Sequence, residues 1–98
     1  MSTNNVLNEL MFSQAVLHGS ASHTDNLNDA GGVTITATVA GAAIGDFVLL
    51  SAAADLAGLI LFGYVSVADT VSIRVQNETG GAITTDHTIY ILVIPRKR

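Results

Sequence analysis

Three histidines, eight acidic side chains and a run of serines and threonines are what this 98-residue chain offers to chemistry. His18 and His23 stand close to Ser20, Ser22 and Asp25, a set that contains a nucleophile, a base and a carboxylate to orient it. A triad is defined by geometry, however, and serine, histidine and aspartate in proximity are also what a polar loop is made of. The spacing assigns no catalytic residue, and the chain reads as a non-enzyme. A metal site would need His18, His23 and His87 to converge, and no H-x-x-x-H or H-E-x-x-H pattern on a helix brings them together. The chain has no cysteine, so thiolate ligands and disulfides are excluded. Gly31-Gly32 and Gly80-Gly81 lack the flanking residues of a phosphate cradle and read as turns. No metal or cofactor is expected.

The aromatic residues are Phe12, Phe47, Phe62, Tyr64 and Tyr90. A stacking platform for single-stranded nucleic acid would interleave such rings with Lys and Arg. Three of the four basic residues are instead Arg96, Lys97 and Arg98, which leaves Arg74 alone against eight acids in the body of the chain. A body of that sign repels phosphate backbones, so no specific nucleic-acid binding is expected, and the basic tail reads as a solvated end. The phenylalanines read as core packing, and Tyr64 and Tyr90 equally as core or as interface residues with a polar tip in solvent.

The elements that must position these side chains follow from period and punctuation. Val33, Ile35, Ala37 and Val39 alternate with Thr34, Thr36 and Thr38, and Val71, Ile73 and Val75 alternate with Ser72, Arg74 and Gln76. Each is a half-buried strand, the second read from Thr70 to Gln76. Phe47 to Leu50, Leu59 to Val67 and Thr88 to Ile94 are apolar on both faces, which predicts strands in the middle of a sandwich or strands whose second face another subunit covers. Turns are expected at Gly41 to Asp46, at Ala68-Asp69 and at Asn77 to Gly81, the last as a hairpin loop. Ala52 to Leu56 suits a single helical turn. Short strands so often interrupted predict an all-β fold, a small antiparallel β-sandwich or jelly-roll-like barrel.

The first thirty residues read differently. Val6, Leu7, Leu10 and Met11 share a helical stripe, Phe12 to Leu17 suits a strand as well, and Ser20 to Gly32 has the composition of an exposed loop. The division is an N-terminal arm and polar loop over residues 1–30 and a β-sandwich with a short basic tail over residues 31–98. Apolar residues make up 49 % of the chain and charged ones 12 %, half the usual charged share of roughly a quarter. So few charges leave apolar surface exposed, and a partner or a second copy is expected to cover it. Candidate interface residues are Val6, Leu7, Leu10, Met11 and Phe12 of the arm, with Tyr90 and Leu92 of the two-faced last strand. No apolar stretch approaches the roughly 18 residues of a membrane helix, and the N-terminus lacks the positive charge of a secretory signal, so no membrane contact is expected.

From Val33 to Ile94 the chain resembles small bacteriophage structural proteins of the capsid decoration, or cement, family. The resemblance lies in Gly45-Asp46-Phe47-Val48, in the run from Tyr64 to Ile83 that reads YVSVADTVSIRVQNETGGAI, and in the closing Tyr90-Ile91-Leu92-Val93-Ile94. It implies a virion structural protein on the outer capsid surface, made in the bacterial host cytoplasm. The resemblance also implies a homotrimer bound to the major capsid protein, stabilising the assembled shell. A tail or spike component mediating attachment is the alternative, and a carbohydrate-binding sandwich would need an aromatic platform on its surface.

Overall fold

The strand Thr70–Gln76 places Val71, Ile73 and Val75 on one face, and all three side chains are fully buried. Ile89, Ile91 and Val93 do the same on the strand Ile83–Ile94. These two strands are the centres of two three-stranded antiparallel sheets, and their inward residues make up the middle of one core cluster. The computed structural model describes residues 16–96. Its strands are β1 (Leu17–Leu27), β2 (Gly32–Thr38), β3 (Phe47–Ala52), β4 (Ile60–Val67), β5 (Thr70–Gln76) and β6 (Ile83–Ile94). Sheet A has the order β1-β6-β3 and sheet B the order β2-β5-β4. The fold is the expected all-β sandwich, and the described residues contain no helix.

Most connections cross between the layers. Among the described strands only β4 and β5 form a hairpin, closed through Ala68 and Asp69, with Asp69 at a φ of 65° and a bulge between Val65 and Val67. The hairpin tip is tied to the β2–β3 connection: the Val39 amide donates to the Asp69 carbonyl at 2.8 Å, and the Gly41 amide to the Asp69 carboxylate at 2.8 Å. In that connection the buried Asp46 accepts from the Ala43 amide at 2.9 Å and from the Arg96 amide at 3.1 Å, fixing the chain beyond β6 against the loop.

Three local readings change. The polar run Ser20 to Gly32 is mostly strand, since β1 pairs with β6 along its whole length from Leu17↔Val93 to Leu27↔Ile83. Among the described residues the sandwich thus begins at Leu17. Between the inward Leu17 and Leu27 the inward positions of β1 include Gly19, Ala21 and His23, so the apolar alternation that marks other strands is muted here. Residues 77–82 are not a hairpin loop but a crossover from the centre of sheet B to the centre of sheet A. Asn77, wholly buried, holds that crossover: its amide donates to the carbonyls of Leu27 and Gly81 at 2.8 Å each, and its oxygen accepts from the Thr79 amide and hydroxyl. Residues 52–56 form no helical turn. The chain bends there and reverses at Ala57-Gly58, both at positive φ, with the Leu59 amide donating to the Leu56 carbonyl at 3.0 Å.

Candidate interaction surface

The residues that invited a catalytic reading are separated by the pleat of β1. His18, Ser20 and Ser22 are exposed on the outer face of sheet A, while His23 points inward and is 2 % exposed. Alternate positions of one strand lie on opposite faces, so neither serine can reach His23. Of the three histidines, the fold brings two together. His23 is directly paired with His87 on β6, the ring centroids 5.4 Å apart at an interplanar angle of 60°. His23 Nδ1 lies 3.1 Å from Thr85 Oγ1, and neither ring nitrogen of His87 has a hydrogen-bond partner. His18 stands on the other face, and among the described residues no three His or acidic side chains gather as a metal-binding group.

What the surface does offer is apolar. Phe47 and Phe62 are 62 % and 54 % exposed, which corrects their assignment to the core. Sequence reasoning takes residue type as a proxy for burial, but a two-layer sandwich has two outer faces, and these side chains lie on them. Among the described strands β3 and β4 are each the edge of their sheet and lie along the same flank, and neither contains a charged residue or a proline. Edge strands in soluble proteins ordinarily carry such residues as protection against pairing with other chains. The opposite flank, β1 and β2, turns hydroxyls outward through Ser20, Ser22, Thr24, Thr34, Thr36 and Thr38.

Between the two uncharged edges runs an open groove of about 530 Å³, lined by Val48, Leu50 and Ala52 on one side and by Leu56, Leu61 and Gly63 on the other. The glycine sets its depth. A Cβ at position 63 would meet Val48 Cγ1 at 2.9 Å and Leu50 Cδ1 at 3.0 Å, so the sheets approach closely only because that side chain is absent.

Two apolar areas flank the groove. On sheet B, Ile60, Phe62 and Tyr64 form a strip along β4, with the Phe62 and Tyr64 rings 5.6 Å apart. The polar groups beside this strip are already bonded to one another: Arg74 donates to Gln76 and Thr34, and Gln76 to Glu78 and the Ala30 carbonyl. On sheet A, Phe47 and Leu49 of β3 adjoin Tyr90, Leu92 and Ile94 of β6. Tyr90 is 55 % exposed and Leu92 partly so; these are the two sequence-derived interface residues that the structure describes. Val6, Leu7, Leu10, Met11 and Phe12 lie outside the described residues. Sequence reasoning misses Ile60, Phe62, Phe47 and Leu49 as surface residues, although the apolar character of both faces of their strands carries the signal.

Comparison with known proteins yields no match among family models, curated proteins or solved structures.

Proposed function

We propose that this chain is a structural assembly protein, a phage capsid decoration protein that associates as a homotrimer and binds the major capsid protein to stabilise the assembled shell. The observation that carries the reading is the uncharged β3/β4 flank, with its open strand edges, its groove and the exposed strip Ile60, Phe62 and Tyr64. Full burial of a large apolar side chain is worth about 1.5–3 kcal/mol, so covering such a strip supplies the driving force for an assembly contact without any chemistry. The run from Tyr64 to Ile83 that resembles virion proteins contains part of this strip and the hairpin that presents it. Repeated over a shell, one modest contact per copy becomes a strong clamp through avidity. The reading assigns the protein no catalytic role and no cofactor.

Co-sedimentation with capsids that lack the protein tests it. The protein should pellet with capsids and raise the temperature at which they release DNA. Failure to bind or to stabilise them would favour a tail or spike component instead.

A further inference from the structure

The ladder hydrogen bonds decide which backbone groups the β3/β4 flank presents. The Ala53 amide donates to the Thr88 carbonyl of β6 at 2.9 Å, one step beyond the paired Ala52 and Ile89. In an antiparallel ladder a residue turns its N–H and C=O to the same side, and its neighbours turn theirs to the other. Ser51, Leu49 and Phe47 therefore face β6, and Val48, Leu50 and Ala52 turn both groups to the flank. Sheet B follows the same rule. The Asn77 amide donates to the Gly31 carbonyl at 2.8 Å, one step beyond the paired Gly32 and Gln76, so Gln76, Arg74 and Ser72 face β4. Their partners Ile60, Phe62 and Tyr64 face back, which leaves Leu61 and Gly63 turned to the flank. These five residues also line the groove, and among the described residues none of their flank-facing backbone groups has a hydrogen-bond partner.

We infer that the flank is a receptor for one extended segment of a neighbouring protein, which joins sheet A as a further strand antiparallel to β3 and lays alternate side chains into the groove. The same residues offer apolar side chains and unpaired backbone groups, and this combination selects the occupant. A purely apolar ligand would cover the side chains and leave the N–H and C=O groups without partners, whereas an extended peptide satisfies both. A folded second copy offers only strands whose inward side chains are already packed against its own opposite sheet. β3 is the docking edge because its register against β6 is unbroken, while β4 carries a bulge between Val65 and Val67 that interrupts pairing. Val48 to Ala52 is four steps of strand, about 13 Å, and takes a segment of about five residues. Its inward side chains are aliphatic and uncharged, to match Val48, Leu50 and Leu61. Its outward ones lie beside the exposed Phe47 and Leu49 and are free to be polar. The inference rests on the assembly reading of this flank and names what the partner contributes there.

The probe is a capped, uncharged peptide of alternating valine and threonine, added at millimolar concentration to the isotope-labelled full-length protein. Hydrogen exchange at the Val48, Leu50 and Ala52 amides should slow at least about tenfold, while Leu61 and Gly63 exchange as before. Opposed residues of an antiparallel pair share a face, so the valines that enter the groove turn their nitrogens to β3 and the threonines turn theirs away. N-methylation of the valines should weaken binding at least about tenfold, and N-methylation of the threonines should leave it intact. Any other methylation pattern overturns the assignment, as does protection on β4 in place of β3, or none at all. Protection of the three β3 amides in the protein alone also overturns it, since another copy or another part of the chain then holds the edge. Sedimentation separates this inference from the reading on which it rests. Capsid binding without peptide binding ends the inference and leaves the shell reading standing; peptide binding without capsid binding ends the shell reading and leaves a strand receptor for a different partner.

Discussion

His23 and His87 face each other across β1 and β6 at directly paired positions inside the sandwich, 2 % and 6 % exposed, in an edge-to-face contact of 5.4 Å between centroids. The pair fills the layer between the aliphatic core around Ile89 and the polar end of β1. The two members are not equivalent, because His23 has Thr85 within hydrogen-bond distance while both ring nitrogens of His87 lack a partner.

That difference predicts a substitution that ought not to harm the protein. A buried polar atom left without a hydrogen bond costs about 1–3 kcal/mol, so His87→Leu, which removes two such atoms at similar volume, should leave stability unchanged or raise it by up to about 2 kcal/mol. Urea unfolding measures it. A loss greater than about 1 kcal/mol would show that the imidazole does more than occupy space.

Asn77 predicts the opposite. Both ends of its side chain are satisfied, to Leu27, Gly81 and Thr79, and the residue is fully buried. Asn77→Ala removes the donor to the buried Leu27 carbonyl at the end of β1 and one of the two donors to the Gly81 carbonyl in the β5–β6 crossover, and should cost about 2–4 kcal/mol by chemical denaturation. Thr79→Ala, which removes only the hydroxyl bonds, should cost less than half as much.

Gly19 tests the packing of the first strand against the core. A Cβ there would come within 2.7 Å of Val39 Cγ2, and Val39 is itself buried at 1 % exposure, so the neighbour has nowhere to move. Gly19→Ala should lower stability by about 1–3 kcal/mol through overpacking. If residues 17–27 were a solvated loop, the same change would be silent in thermal unfolding.

The exposed strip on β4 should matter for association and hardly at all for folding. Phe62→Asp changes an exposed side chain, so unfolding of the isolated domain should move by less than about 0.5 kcal/mol. Light scattering of the unaltered protein should give the mass of a trimer at micromolar concentration, and the variant should shift toward monomer. A monomeric unaltered protein would refute self-association.

The sequence is most legible where a strand is wet on one side. Val33 to Val39 and Thr70 to Gln76 announce themselves because apolar and polar residues alternate, and β5 matches its expected bounds while β2 falls within a residue of them. β1 is hidden because, between Leu17 and Leu27, its inward positions include Gly19, Ala21 and His23, and glycine and histidine interrupt the apolar alternation. The crossover at residues 77–82 resembles a hairpin for a different reason: turn chemistry describes the local reversal and says nothing about which sheet the next strand will join. The surface phenylalanines are misplaced because residue type reports a preference for burial, whereas actual cover depends on how many layers the fold has. The candidate surface is foreshadowed only in outline, by strands too apolar for a single buried face and by Tyr90 and Leu92.

The strand order of sheet A has a consequence for how the chain comes to be folded at all. β6 is the last of the six described strands and also the sole partner among them of both β1 and β3, which do not touch each other in the sheet. On a ribosome, sheet B can close once Gln76 has emerged, beginning from the local β4–β5 hairpin. β1 and β3 meanwhile wait without a template until residues 83–94 appear and slide between them. That insertion joins the most distant parts of the chain and closes the longest loops, which makes it the slow step. Until it happens, the uncharged β3 has both backbone edges open, and the interval before β6 arrives is when the chain is most exposed to pairing with the wrong neighbour.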